Sequence, residues 1–160
     1  MIKSSFNKRQ LFGIALSCLS IILAITACNE EDCQELTEVK INARFYDHIA
    51  DEPTVCSTLT LFGLKSDSLI LNNASSVSNF SLYLRQDTIQ TTFVFQFPEE
   101  VNDTVTIHHS NNRSVISLDC GCATFFTVDS IKWTHHQIDT IIVKQKEIGT
   151  GNEENIRFYL

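Results

Sequence analysis

From residue 39 onward, apolar and polar positions alternate with a period of two. Val39, Ile41, Ala43 and Phe45 interleave with Lys40, Asn42 and Arg44; Leu59 and Leu61 interleave with Thr58 and Thr60. Phe80, Leu82 and Leu84 alternate with Ser81, Tyr83 and Arg85, and Ile89, Thr91, Phe93, Phe95 and Phe97 share one parity. The rule continues through Val105 and Ile107, Ile116 and Leu118, Phe126 and Val128, and finally Ile156, Phe158 and Leu160. Successive side chains on a strand point to opposite faces, so this alternation describes strands with one face buried and one wet. Their β-branched and aromatic content agrees. Polar clusters such as "NNASS", "PEEVND" and "SNNRS" read as turns, giving about nine or ten strands. No segment carries a sustained helical stripe. The expected fold is all-β: an antiparallel two-sheet β-sandwich, immunoglobulin-like in general architecture. Its expected core holds Phe45, Phe80, Leu82, Phe93, Phe95, Phe126, Trp133 and Ile142. A transmembrane barrel would also alternate, but its strands need about 9 to 11 residues and aromatic girdles.

The first residues follow another rule. Lys3, Lys8 and Arg9 precede 17 uncharged residues, 11 to 27, and small residues close the run. A positive start, an apolar stretch and a small-residue boundary describe an export signal. Gly13, Ser17, Ser20 and Thr26 weaken the competing reading of a retained membrane helix. Ile25-Thr26-Ala27-Cys28 resembles the lipobox of bacterial lipoproteins. That resemblance implies cleavage before Cys28, a diacylglyceryl group on its thiol and an acylated (palmitate-type) amino terminus. Two or three acyl chains anchor a protein durably, since burial contributes about 0.8 kcal/mol per CH₂. The expected organisation is a signal peptide over 1–27, a lipidated Cys with an acidic tether over 28–36, and one sandwich domain over 37–160.

Removing residues 1–27 leaves nine basic against 19 acidic residues, a formal charge of −10. So acidic a chain gains nothing from phosphate counter-ion release, which argues against nucleic acid. Its expected membrane attachment is the covalent lipid alone.

Six cysteines become four in the mature fold: Cys33, Cys56, Cys120 and Cys122. Export places them where disulfides persist, and four cysteines allow three pairings. Residues two apart on a strand lie roughly 6.8 Å apart, at the outer edge of disulfide geometry, which disfavours Cys120 with Cys122. The preferred pairs are Cys33 with Cys120 and Cys56 with Cys122. Two other chemistries compete for "CGC". Close thiols can form a redox-active dithiol, and Cys120 and Cys122 could join His109 and His135, or their neighbours His108 and His136, around zinc. Both His-His pairs fall in segments that read as strands, so at most one of each pair could face a common metal.

Five tripeptides repeat one pattern: Asp67-Ser68-Leu69, Asp87-Thr88-Ile89, Asp103-Thr104-Val105, Asp129-Ser130-Ile131 and Asp139-Thr140-Ile141. Asp closing a turn on its own backbone before a strand accounts for all five. The tripeptides also resemble the general O-glycosylation acceptor of Bacteroidete envelope proteins. That likeness makes Ser68, Thr88, Thr104, Ser130 and Thr140 candidate sites, with sugar expected at one or two. Glu99, Glu100 and Asp103 form an acidic loop where calcium could bind weakly, although a solvated turn fits better. Tyr83 falls on an outward parity, where a sugar or protein contact is open to it. His48 lies beside acids without a nameable partner. No nucleophile elbow, phosphate loop or calcium loop is present, so no catalytic residue and no cofactor are expected.

"LTLFGLKSDSLILNNAS", "TFVFQF", "DTVTIHHS", "VISLDCGCATFF", "IDTIIV" and "NEENIRFYL", in that order behind a lipobox, resemble a Bacteroidete lipoprotein family of unknown function, domain of unknown function 6452. The resemblance implies a secreted lipoprotein and supplies no activity. In that setting Glu30, Glu31 and Asp32 resemble a signal for display on the outer face of the outer membrane, with the periplasmic face as the alternative. The expected role is a non-enzymatic binding or structural accessory of the cell envelope, its protein or glycan partner unspecified. A thiol-redox or metal protein using Cys120 and Cys122 with nearby His is the alternative, and an envelope hydrolase the third reading.

Overall fold

Alternation this regular needs two sheets to bury its apolar parities, and a computed structural model shows them. It describes residues 37–65, 69–118 and 120–160, all within one unit, Gln34–Leu160. Residues 1–36, including Cys28, Cys33 and the tether, and Ser68 among the glycan candidates, lie outside the described residues. The strands are β1 (Ile41–Tyr46), β2 (Cys56–Gly63), β3 (Leu69–Val77), β4 (Asn79–Leu82), β5 (Gln90–Gln96), β6 (Asn102–Ser117), β7 (Gly121–Trp133), β8 (Thr140–Val143), β9 (Glu147–Ile148) and β10 (Ile156–Tyr159). The smaller sheet runs β4-β1-β10-β8 and the larger β3-β2-β5-β6-β7-β9. Pairing is antiparallel except for β1 with β10, where Ala43 lies beside Ile156 and Tyr46 beside Tyr159. The aromatic C-terminal segment is thus a central strand of the smaller sheet.

The inward parities meet in an aromatic cluster. Phe45, Phe80 and Phe158 come from the smaller sheet, Phe95 from β5 of the larger and Phe97 from just beyond its end, and all five are buried. Ring centroids lie 4.8 Å apart for Phe45 and Phe80 and 5.4 Å apart for Phe95 and Phe158. Burying each such ring is worth about 1.5–3 kcal/mol, and tilted pairs add about 0.5–1.5 kcal/mol. Ile41, Leu59, Leu61, Leu82, Ile107, Ile138 and Ile156 fill the space around them.

Several expectations need correction. "SNNRS" is no turn: it lies inside the 16-residue β6, which pairs with β7 as far as Ser117 opposite Gly121. Ser110 to Val115 are all exposed, so this stretch of β6 adds nothing to the core and both of its faces can be polar, although Phe126 and Ala123 opposite it on β7 are buried. Alternation disappears there while the backbone ladder continues. "NNASS" likewise lies inside β3, an edge strand distorted by positive φ at Asn73 (46°) and Ser76 (55°). Such irregularities blunt an edge against pairing with another chain. Ile142 is 42% exposed, because β8 turns it outward beside Arg157. Trp133 is half-buried, packed against the core rather than inside it. His135 and His136 follow β7 in a loop, not on a strand.

Candidate functional site

The residues singled out for thiol and metal chemistry are not brought together. Cys56 opens β2, and Cys122 sits near the far end of β7. Two strands, β5 and β6, separate β2 from β7, a lateral distance of about 14 Å. A disulfide needs Cα atoms within about 7 Å, so the expected Cys56–Cys122 pair does not form, and both are free. Cys120 is disulfide-bonded. Cys56 is buried, its Sγ donates to the Thr58 carbonyl at 3.2 Å, and burial pushes its pKa up. A protonated, enclosed thiol is a poor nucleophile. Along the hairpin, Cys122 lies opposite Val115, His109 opposite Val128, and His135 beyond Trp133, which lies opposite Val105. Six residues of strand, about 20 Å, separate the level of His109 from that of Cys122. Among the described residues no three His, Cys, Asp or Glu side chains gather as metal ligands.

Two polar side chains, Asp103 and His109, are buried anchors. Asp103 is fully buried on the inner parity of β6. Its Oδ1 accepts from Thr134 Oγ1 (2.7 Å), His136 N (3.0 Å) and His136 Nδ1 (3.2 Å). Its Oδ2 accepts from the backbone N–H of Gln137 (2.7 Å) and Ile138 (2.8 Å). Burial alone would raise the pKa of this carboxyl, but the bonds from Ile138, Thr134, Gln137 and His136 prevail and hold it low. Asp103 therefore neither closes its own turn nor shares a cation with Glu99 and Glu100, which are exposed. It clamps the passage from β7 to β8, where the chain crosses between sheets.

His109 is the second anchor. Its Nε2 lies 3.0 Å from Thr91 Oγ1 and its Nδ1 2.7 Å from Asn111 Oδ1. Asn111 Nδ2 donates to the carbonyls of Gln86 and Thr88, tying the β4–β5 loop down. Burial pushes the His109 pKa down, opposed by the Asn111 bond and Asp129. The neutral ring fits this arrangement with its proton on Nδ1, toward the Asn111 oxygen.

The tripeptide candidates divide. Thr88 and Thr140 sit at turn and strand starts, with Thr88 Oγ1 donating to Gln90 O at 2.6 Å. Asp103-Thr104 and Asp129-Ser130 lie within strands, so turn closure does not explain them. Ser130 is exposed and Thr104 half-buried. Tyr83 is exposed as its parity requires, donating to Glu38 Oε1 at 2.9 Å. His48 finds a partner the sequence could not name, Asp139 at 3.0 Å.

The most distinctive surface lies at one end of the larger sheet. Between β5 and β6 the chain makes a 3₁₀ turn, Pro98–Glu100, closed by Phe97 N to Val101 O (2.8 Å) and Val101 N to Pro98 O (3.4 Å). Glu99 and Glu100 both have left-handed backbones, φ 63° and 61°. For non-glycine residues this costs of order 1–3 kcal/mol each and persists only where the surroundings impose it. Here the buried Phe97 and Asp103 pin both ends of the loop. The resulting ridge separates two open clefts. One, of about 410 Å³, reaches Asp47, Cys56, Ser57, Glu99 and Gln137. The other, of about 490 Å³, lies over the outward face and reaches Thr58, Thr60, Asn73, Gln96, Glu100 and Asn102. Asn73 gets there because β3 is out of step with β2 between Leu59 and Leu61, and Thr60 Oγ1 accepts the Asn73 N–H at 3.0 Å. Bulges often re-aim a side chain in this way. Sequence reading missed this site, since strand register and an irregular edge assemble it.

A family model, "Family of unknown function (DUF6452)", matches residues 58–160. No curated protein and no solved structure matches the chain.

Proposed function

The chain belongs to the DUF6452 family of unknown function, and because membership supplies no activity, we propose from its own residues a lipid-anchored envelope protein whose sandwich is a non-enzymatic binding module. The lipobox-like Ile25-Thr26-Ala27-Cys28 supports the anchor, and the acidic Glu30, Glu31 and Asp32 support an outer-membrane, surface-exposed setting. The observation that carries the binding role is the strained ridge of Glu99 and Glu100 between two clefts. Loops on a rigid scaffold are where recognition concentrates, and backbone strain is retained where the geometry is used.

Fractionation of cells expressing the wild type and Cys28→Ser tests the anchor. The wild type is expected in the membrane, carrying the mass of its acyl chains; a variant that stays there equally would refute lipidation. Protease added to intact cells tests display, and full protection would place the domain on the periplasmic face. A photocrosslinking residue at Glu100 is expected to trap an adduct in intact cells, whereas one at the exposed Glu153 is not. Equal labelling at both positions would refute the ridge as the binding site.

A further inference from the structure

We propose that the cleft on the outward face of the larger sheet binds a neutral oligosaccharide, laid across the strands. The inference rests on the binding-module reading and names its ligand class. Thr60, Gln96 and Asn102 are successive register partners on β2, β5 and β6, and Asn73 of β3 is bonded to Thr60. Their side chains form a row over four strands, spaced at about 4.8 Å and spanning about 14 Å. Asn73, Gln96 and Asn102 make no side-chain hydrogen bond among the described residues. Some amides elsewhere are committed, Asn42 donating to the carbonyls of Gly151 and Glu153 and Asn111 to those of Gln86 and Thr88, while others such as Asn79, Gln90 and Asn112 are as open as these three; what sets these apart is their alignment in one cleft.

The chemistry of this row selects the ligand. Each amide both donates and accepts, as each sugar hydroxyl does. Glu100 can accept from two neighbouring hydroxyls, and exposed Pro98 offers an apolar surface to the C–H face of a ring. Among the described residues no cation lines the cleft, and the mature chain is strongly acidic, so anionic glycans, nucleic acid and acidic peptides are repelled. A row of units one strand spacing apart suits a linear polymer of similar repeat better than a compact metabolite.

The test uses the full lipidated chain in a detergent without a sugar headgroup. Titration calorimetry would be run with maltohexaose, cellohexaose, mannohexaose and chitohexaose, and with hexagalacturonate as an anionic probe. At least one neutral hexaose is expected to bind with a dissociation constant below about 1 mM, and hexagalacturonate to bind none. Gln96→Ala and Asn102→Ala should each weaken binding about fivefold, the loss of one hydrogen bond. Both side chains are exposed, so melting temperatures should not move. Absence of neutral-hexaose binding, binding unchanged in both variants, or preference for hexagalacturonate would overturn the inference. Adducts at Glu100 without hexaose binding would reject the sugar and keep the site. Hexaose binding by a chain whose Cys28→Ser variant still fractionates with membranes would reject the lipid anchor alone.

Discussion

Removing the carboxylate of Asp103 should destabilise the sandwich more than its position at the start of a strand suggests. In Asp103→Ala, the Thr134 hydroxyl and the N–H groups of His136, Gln137 and Ile138 lose their acceptor. His136 and Gln137 are exposed and can turn to water; Ile138 is fully buried and cannot. A buried donor left unmet costs about 1–3 kcal/mol, and bonds to a charged acceptor are worth about 1.5–3 kcal/mol each. Relief from burying the charge offsets part of this loss, leaving about 3–4 kcal/mol. Asp103→Asn keeps the shape and one acceptor oxygen but turns an NH₂ toward other donors, and should cost about 2–3 kcal/mol. With a urea m value of about 1.5 kcal/mol/M, the alanine midpoint falls by about 2 M at pH 7. The sign with pH follows from the lowered pKa of Asp103. Its contribution is complete above the unfolded value of about 3.9 and is lost as pH falls through the folded value. Wild type and Asp103→Asn should therefore converge in strong acid. An asparagine variant within about 0.5 kcal/mol of wild type at pH 7, or a constant gap down to pH 2, would refute the clamp.

Three further outcomes can be checked on the same protein. His109 has a lowered pKa through burial, so its contribution is complete above about 6.5 and declines as pH falls toward its folded value. Urea midpoints between pH 5 and 8 should drop on the acid side in the wild type, and drop less in His109→Phe. A thiol reagent should modify exposed Cys122 in the folded protein and reach buried Cys56 only on unfolding, so Cys122→Ser should abolish the fast phase. Glu99→Gly and Glu100→Gly should each raise stability by up to about 1 kcal/mol, because glycine carries no penalty in the left-handed region. A loss in both variants would show the ridge to be unstrained.

Much of the architecture was legible because burial on one face writes a period of two into the chain. Phe45, Phe80, Leu82, Phe93, Phe95 and Phe126 are buried as that period requires. The reading failed where burial ceased to govern the pattern. Residues 110–115 add nothing to the core, so their polarity looked like a turn although the ladder runs on. Ile142 has the composition of a core residue, but β8 lies at a sheet edge and faces it outward.

The sequence by itself determined the strand class, the parity of the core and the strong acidity of the chain, because these depend on composition and on neighbours one or two residues away. Only the tertiary structure decided that Asp103 holds a crossover 31 to 35 residues further on, and that Cys56 and Cys122 lie too far apart to join. It also decided that Asn73, Thr60, Gln96 and Asn102 stand in one row. The physical reason is register: which residues of distant strands lie side by side is fixed by how two whole sheets pack, and no local pattern encodes it.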